Sequence, residues 1–367
     1  MAGGHKKFAW RPDIHSACDK LYYISAKERM IGESGSDEVL YRLPDASVCH
    51  CLRGEAEPLE GIGDLRGRSG FVMAPFHASS SAQVVLMPVA SHDLVDLSRL
   101  PDVAHVAFAE ENGRSDYDRA FDRMQTWLSD KGLEKVVLAR MSNLDMARSI
   151  DAESLFAKAC AMYPHQMIAL VSTSLSGTWL MATPESLVER KEGKWTTMAL
   201  AGTMSAPGPW SEKNKREHAI VADYIQGCLT GKCTAINRSA PHTVTAARLF
   251  HLRTDFEFRL NDGEDVVDVL ADLFPTPAVC GMPKKLAMKA ILADEGMDRR
   301  YYSGFCGLWN LSQNAEPDTA LYVSLRCMEM YGKHLRLYAG GGLLKESVER
   351  QEWDETEKKM QTMKALL

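Results

Sequence analysis

The sequence lacks the features that mark membrane, secreted and nucleic-acid-binding proteins. Its 367 residues contain no run of about 20 apolar side chains, so we expect no membrane-spanning helix. The first twenty residues carry charges but no apolar core of a secretion signal. There is no basic block, and 43 Lys and Arg against 49 Asp and Glu give a net charge of −6, which argues against nucleic acid as a partner. We therefore expect a cytoplasmic protein with neither a membrane nor a nucleic-acid partner.

Metal-binding cysteine patterns and phosphate-binding loops are also missing. The nine cysteines are scattered, and the close groups Cys49-His50-Cys51 and Cys228 with Cys233 do not have CxxC spacing. Free thiols in a reducing compartment fit this pattern, whereas a zinc or redox protein is the alternative that stoichiometric metal in the purified protein would support. Neither GxGxxG nor GxxxxGK followed by Ser or Thr occurs, so the common dinucleotide and P-loop fingerprints are absent.

The residues that are present predict an α+β fold. Residues 1–110 alternate short apolar pieces with Gly, Pro, Ser and Asp, which is typical of strands and loops. Residues 116–131 place apolar side chains at helical spacing, and Gly132 follows as a C-cap. Other segments are predicted as helices at 151–163, 211–230, 284–295 and from 348, and as strands at 135–144, 167–172, 178–183, 186–204, 249–260, 320–328 and 334–342.

The order of these elements favours large, mainly antiparallel sheets. An EGK sequence inside 186–204 predicts a hairpin turn. Because no segment has the composition of a linker, we expect a single domain over residues 1–367.

Two ionisable residues occupy positions expected to be apolar. Lys135 opens the strand KVVLAR on the face of Val137 and Ala139; it either reaches solvent by its long side chain or is held in a cavity, where desolvation would suit it to act as a base. Glu217 shares the apolar stripe of its helix with Val221 and Tyr224. A carboxylate there must be paired, protonated or bound to a metal.

The C-terminal helix poses a similar question. Glu352, Glu355 and Lys359 head a face that continues into Met363 and Leu366. They form either a solvated charged surface or, with acidic groups of another helix, a site for a hard cation such as Mg²⁺. Gly340-Gly341-Gly342 ends a strand and is either a tight turn or a place where backbone N–H groups approach an anion.

These places belong to nine ordered motifs that resemble the chorismate-utilising enzymes, and among them the isochorismate synthases. The motifs are KVVLAR, ATPESLVER, ALAGT, KREHAIV, LFHLRT, PTPAVCG, VSLRC, YAGGG and EWDETEKKMQTM. They extend from about Asp116 to the C-terminus. The resemblance implies a chorismate-utilising fold in which large antiparallel sheets pack as a sandwich with helices outside. It divides the chain into an N-terminal sheet part of weaker resemblance, 1–110, and a motif-bearing catalytic part, 113–367.

The resemblance also implies an activity and a set of roles. Chorismate would become isochorismate by addition of water at C2 and loss of the C4 hydroxyl, with Lys135 as base and Glu185 as acid. Glu185 taken alone, just after a proline, could equally be a surface residue at a strand edge. By the same motifs Glu217 and Glu355 would bind Mg²⁺ and Glu352 would steady its waters. The residues implied to bind or border the substrate are Gly202, Thr203, His251, Arg326, Gly340, Gly341, Gly342 and Lys359.

Sister enzymes that add ammonia usually have Gln in place of Lys135, and some have Lys where this chain has Ala201, so no glutamine amidotransferase subunit is expected. Salicylate synthase, which goes on to eliminate pyruvate, stays an alternative, as does a non-catalytic chorismate-binding relative.

The family often has His where Phe274 stands, a departure that concerns structure more than catalysis. Between menaquinone and siderophore biosynthesis we favour menaquinone, because nothing in the sequence points to iron.

Overall fold

The computed structural model describes residues 23–24, 37–97, 105–246, 249–311 and 318–367. The strands are β1 (Tyr23–Ile24), β2 (Asp37–Arg42), β3 (Cys49–Gly54), β4 (Glu57–Leu59), β5 (Gly70–Ala74), β6 (Val84–Met87), β7 (Val89–Val95), β8 (Phe108–Glu111), β9 (Lys135–Met146), β10 (Met167–Thr173), β11 (Gly177–Thr183), β12 (Ser186–Lys191), β13 (Lys194–Met204), β14 (Cys233–Arg238), β15 (His242–Ala246), β16 (Leu249–Leu260), β17 (Gly281–Met282), β18 (Phe305–Trp309), β19 (Thr319–Val323), β20 (Cys327–Tyr331) and β21 (His334–Leu343). The helices are α1 (Arg114–Asp130), α2 (Ala152–Met162), α3 (Glu212–Leu229), α4 (Val266–Leu273), α5 (Lys284–Asp294) and α6 (Glu349–Lys364).

Two large sheets contain these strands. The first has the order β1-β7-β3-β2-β10-β11-β20-β21-β9-β17, with β8 also paired to β9. The second has the order β14-β16-β13-β12-β19-β18-β5-β6-β4, with β15 also paired to β16. Neighbouring strands run antiparallel, except that β1 and β7 are parallel. The chain therefore has the α+β architecture that the order of its elements predicts.

The sheets pack face to face, and helices cover their outer faces. Tyr41 and Trp179 of the first sheet share one buried cluster with Phe71 and Tyr322 of the second. Separate clusters join α2 and α6 to the first sheet, α3 and α4 to the second, and α1 and α5 to β9, near one end of the first sheet. Each sheet thus buries apolar side chains on both faces, which explains the nearly continuous apolar runs in strands such as β10. No helix in the described ranges is both long enough and apolar enough to cross a membrane.

Local sequence signals locate most elements to within a few residues. Gly132, just after α1, has a φ of 79°, as a C-cap glycine requires, and Asp151 caps α2 by accepting a hydrogen bond from the Ser154 amide. Glu192 and Gly193 both have positive φ between β12 and β13, which matches the hairpin turn predicted from EGK. The features that were not predicted are α4, the strands β14, β15, β17 and β18, and the interruption of the strand predicted at 320–328.

That interruption is a crossover between the two sheets. β19 belongs to the second sheet and β20 to the first, so Ser324 to Arg326 carry the chain from one to the other. The prediction of one continuous strand was wrong because both halves are apolar and buried. The chain makes a similar passage between β11 and β12 through Pro184 and Glu185. Glu185 and Arg326 therefore both lie where the chain crosses between sheets.

A buried ion pair ties β9 to α5. Arg299 and Glu295 have side chains that are 2% and 0% exposed, and both Arg299 Nε and Nη2 donate to the Glu295 carboxylate. Glu295 also accepts a hydrogen bond from the Ala139 amide at 2.7 Å, and Arg299 donates to the Val137 carbonyl at 2.8 Å. These bonds fix the middle of β9, the strand that begins with Lys135.

We expect Arg299→Leu to lower the free energy of unfolding by about 3–5 kcal/mol, because the Glu295 charge would stay buried without its partner. Urea unfolding followed by circular dichroism measures the change. Arg123→Leu is the matched control, since the Arg123 side chain is 45% exposed and pairs with Asp294 only at the surface; its loss should cost at most about 1 kcal/mol. Equal costs for the two variants would contradict this account of β9.

Candidate active site

Most of the residues predicted from the sequence line one cavity. It opens to solvent and lies beside the two crossovers; the space free of protein atoms within it and at its mouth is about 620 Å³. The predicted residues in its wall are Glu185, Gly202, Thr203, Glu217, His251, Arg326, Gly340, Gly342, Glu355 and Lys359. The other three predicted residues, Lys135, Gly341 and Glu352, lie next to this wall. Lys135 pairs with Glu217, and a Cβ added to Gly341 would lie 3.4 Å from Glu352 Oε2.

The two crossovers are hydrogen-bonded side by side. The Glu185 carbonyl accepts a hydrogen bond from the Val323 amide at 2.9 Å, and the Arg326 carbonyl accepts one from the Ala182 amide at 3.0 Å. Arg326 has a φ of 46°, a left-handed conformation that costs a non-glycine residue energy and that turns the backbone sharply here. A carboxyl group and a guanidinium group are thus brought to the same cavity by bonded backbone segments.

Burial determines the protonation state of Glu185. Its side chain is almost fully buried, and this burial raises the pKa to about 8, although the positive charges of Arg326, Lys135 and Lys359 act in the opposite direction. At neutral pH the carboxyl group is therefore mainly protonated, and it can donate a proton into the cavity. The alternative of an exposed residue at a strand edge is wrong.

In the part of the chain that the structure describes, Arg326 is held by a neutral histidine and not by a carboxylate. The His251 ring nitrogen Nδ1 lies 3.0 Å from the Gly202 carbonyl oxygen, which makes Nδ1–H the donor and leaves Nε2 to accept from Arg326 Nη2 at 3.2 Å. Burial, followed by the charges of Arg326 and Lys359, lowers the pKa of His251 to about 3. Within the described residues no carboxylate forms an ion pair with Arg326, so its charge is available for an anionic ligand.

Lys135 is fully buried, so the alternative that it reaches solvent is wrong. Its Nζ lies 3.2 Å from Glu217 Oε1, and within the described residues it makes no hydrogen bond. This ion pair requires space on β21: a Cβ at Gly342 would lie 2.0 Å from Glu217 Oε1 and 2.9 Å from Lys135 Cε. The three glycines continue the antiparallel ladder with β9, so the alternative of a tight turn is also wrong. Because Gly342 has no side chain, the Glu217 and Lys135 side chains can pack directly against the backbone of β21.

Two further carboxylates on α6 have lysine partners. Lys359 Nζ lies 2.7 Å from Glu355 Oε1 and donates to the Gly340 carbonyl at 2.8 Å. Glu352 is buried and pairs with Lys213, a residue in the first turn of α3. Burial first, and then the charge of Glu355, raises the pKa of Glu352, whereas Lys359 and Lys213 lower the pKa of Glu355 more than burial raises it.

Lys213 and Tyr302 are parts of the site that sequence reasoning missed. Burial lowers the pKa of Lys213, but the charges of Glu352, Glu217 and Glu355 outweigh burial, so the pKa is raised overall. Its ammonium group pairs with Glu352. Lys213 precedes Glu217 by one helical turn, a spacing that could have identified it. Tyr302 lines the cavity and stacks on Tyr338 with 5.4 Å between ring centroids; a tyrosine in an irregular segment gave no signal.

The carboxylates are suitable donors for a hard cation. Three of them, Glu217, Glu352 and Glu355, approach the backbone of Gly341 and Gly342 from two helices. Across the described ranges no three His, Cys, Asp or Glu side chains are close enough to enclose a metal ion by themselves. This arrangement fits Mg²⁺, which commonly takes one or two protein carboxylates and completes its shell with water and substrate oxygens.

The chain is similar to known proteins over most of its length. A family model described as chorismate binding enzyme matches residues 92–367. Isochorismate synthase MenF of Escherichia coli is 28% identical over 288 residues, which cover 75% of this chain and 65% of that protein. The vibriobactin-specific isochorismate synthase of Vibrio cholerae is 28% identical over 263 residues, which cover 68% of this chain and 66% of that protein. The chain thus matches slightly less than two thirds of the length of each.

A solved structure confirms the fold. The solved structure of MenF, the menaquinone-specific isochorismate synthase from Escherichia coli, superposes with a TM-score of 0.78. The superposition covers 94% of this chain and 91% of that chain at 22% sequence identity. The sandwich of antiparallel sheets with outer helices, predicted from the resemblance, is therefore confirmed.

We expect Glu185→Gln to change how stability depends on pH. The unfolded chain releases the Glu185 proton near the ordinary pKa of 4.5, whereas the folded protein keeps it until about pH 8. Between these two pH values the folded protein binds one more proton than the unfolded chain. The free energy of unfolding of the wild type should therefore decrease as pH rises from 5 to 8. The variant lacks this loss, so its stability relative to the wild type should increase over the same interval.

Urea unfolding at pH 5, 6.5 and 8 tests this expectation. Glu134→Gln is the control, because Glu134 is exposed. If the difference between Glu185→Gln and the wild type stays constant with pH, Glu185 is not the buried, protonated group described here.

Proposed function

This chain belongs to the chorismate-binding enzyme family, and we propose that it is an isochorismate synthase that converts chorismate to isochorismate with Mg²⁺ as cofactor. The observation that carries the proposal is the cavity itself: a protonated Glu185 and Arg326, which has no carboxylate partner among the described residues, face the same space, with the Lys135–Glu217 pair beside it. The isochorismate synthases among the similar proteins support the same reaction.

The proposed reaction needs one base and one acid. Lys135 acts as the base in its deprotonated form: the neutral amine takes a proton from a water molecule, whose oxygen forms a bond to C2 of the ring. The double bond shifts, the bond from C4 to its hydroxyl breaks, and Glu185 protonates the departing hydroxyl to give water. One water enters and one leaves, so the reaction is an isomerisation without oxidation or reduction. A carboxyl group that keeps its proton to about pH 8 suits this role.

Two carboxylates on the substrate explain the cationic groups in the wall of the cavity. Arg326, oriented by His251, offers a planar pair of donors to one carboxylate, and Lys359 offers an ammonium group to the other. We propose that Gly202, Thr203 and Gly340 to Gly342 add backbone contacts. The role of His251 near the leaving hydroxyl stays a prediction, since both of its ring nitrogens already have partners in this geometry.

For the metal, we propose that Glu217 and Glu355 hold Mg²⁺ and that Glu352 orients its waters. When bound, the ion supplies positive charge to a substrate carboxylate. The three side chains lie on α3 and α6, which are fixed by packing against the two sheets. We further propose a cytoplasmic enzyme that works without an amidotransferase subunit in menaquinone biosynthesis. The names of the similar proteins include both menaquinone-specific and vibriobactin-specific synthases.

Product analysis tests the reaction. Purified protein with chorismate and Mg²⁺ should form isochorismate, separated by HPLC, and EDTA should abolish its formation. Salicylate together with pyruvate would identify a salicylate synthase instead. No conversion would favour a chorismate-binding protein without activity and would refute the proposed function.

We expect Lys135→Ala to lower kcat by about 10²–10⁴-fold, the usual contribution of a general base. Chorismate binding, measured by calorimetry, should change little because Arg326 and Lys359 are intact. Lys289→Ala is the control, since Lys289 is an exposed residue of α5 outside the cavity. Circular dichroism verifies folding, and turnover near the wild-type rate in folded Lys135→Ala would exclude Lys135 as the base.

A further inference from the structure

We propose that the Lys213 ammonium group is a built-in counter-cation, which neutralises the carboxylate cluster of Glu217, Glu352 and Glu355 when no metal is bound and withdraws when a divalent cation enters. The inference rests on the metal site of the proposed function. It assigns to Lys213 a positioning role, since Lys213 acts through the carboxylates and is not in the wall of the substrate cavity.

The positions of the charges support this assignment. Glu217 has Lys135 as its partner at 3.2 Å, and Glu355 has Lys359 at 2.7 Å. The Glu352 side chain is only 3% exposed, and among the described residues its one ion-pair partner is Lys213. A buried carboxylate without a counter-charge is costly, so an ionised Glu352 requires either Lys213 or another cation.

The helix geometry brings Lys213 close to the two helices that carry the three carboxylates. Lys213 and Glu217 are four residues apart on α3, so their side chains extend over the same face. Glu352 and Glu355 are three residues apart on α6 and also share a face. The ion pair between Lys213 and Glu352 joins these two faces, which places the ammonium group between the helices that carry the proposed ligands.

Of the three lysines around the cluster, Lys213 is the one that can leave. Lys135 has no exposed surface, and Lys359 is only 14% exposed and also donates to the Gly340 carbonyl. The Lys213 side chain is 25% exposed, and its long flexible stem lets the ammonium group move into water while the helix stays in place. A divalent metal ion would then replace the single positive charge of the mobile Lys213 side chain with two positive charges held by the carboxylates.

Calorimetric titration with Mg²⁺ alone, without chorismate, tests the exchange. Because Lys213 competes with the metal for the carboxylates, Lys213→Met should bind Mg²⁺ about five- to tenfold more tightly than the wild type. Lys213→Arg keeps the charge and should resemble the wild type. Lys215→Met is the control for the helix, because Lys215 is exposed and pairs with Glu212. Equal or weaker affinity in Lys213→Met would show a merely structural ion pair and overturn the proposal.

A second measurement uses the wild type and does not depend on the folding of a variant. Acetic anhydride labelling read by mass spectrometry should show Lys213 more reactive at saturating Mg²⁺ than in EDTA, with Lys215 unchanged. Unchanged labelling of Lys213, or no Mg²⁺ binding at all, would overturn the proposal. Because neither experiment contains chorismate, the exchange can be demonstrated even if product analysis refutes the synthase activity, and the two failures are distinguishable.

Discussion

The buried charge of Lys135 is the constraint on which the site depends. An ammonium group with no access to water is tolerated only beside a negative charge, and Glu217 supplies it at 3.2 Å. This pair holds α3 close to β9 and β21. The closeness leaves no room for a side chain at Gly342, so a strand position that would ordinarily carry a β-branched residue is glycine. One buried cation thus determines a helix position, a strand sequence and the location of the first carboxylate.

Charge is distributed unevenly around the cavity. Glu217, Glu352 and Glu355 lie on the side of α3 and α6, each with a lysine partner. On the side of the crossovers the carboxyl group of Glu185 is neutral, and Arg326 has no carboxylate partner among the described residues. A protein with a net charge of −6 can therefore present a locally positive surface to an anionic ligand. The low dielectric of the buried site strengthens this attraction.

Sequence reasoning succeeded where a residue conflicts with its immediate neighbours. Lys135 on an apolar strand and Glu217 on an apolar helix stripe are recognisable because the periodicity of each element predicts an apolar side chain where a charged one stands. It failed where the environment is set by distant segments. The run 320–328 gives no sign that its middle crosses between sheets, and Lys213 in the charged stretch EKNKRE resembles any solvated lysine. Its partner Glu352 is 139 residues away, so only the fold could join them.

The bonded crossovers have a consequence for motion. Ala182, Glu185, Val323 and Arg326 exchange backbone hydrogen bonds across the two passages between sheets. If the two sheets slide or separate slightly during a catalytic cycle, both passages must shift together, because breaking those bonds in a buried place is expensive. The Glu185 carboxyl group and the Arg326 guanidinium group would then move together. The distance between these two groups therefore stays constant while the two sheets move relative to each other.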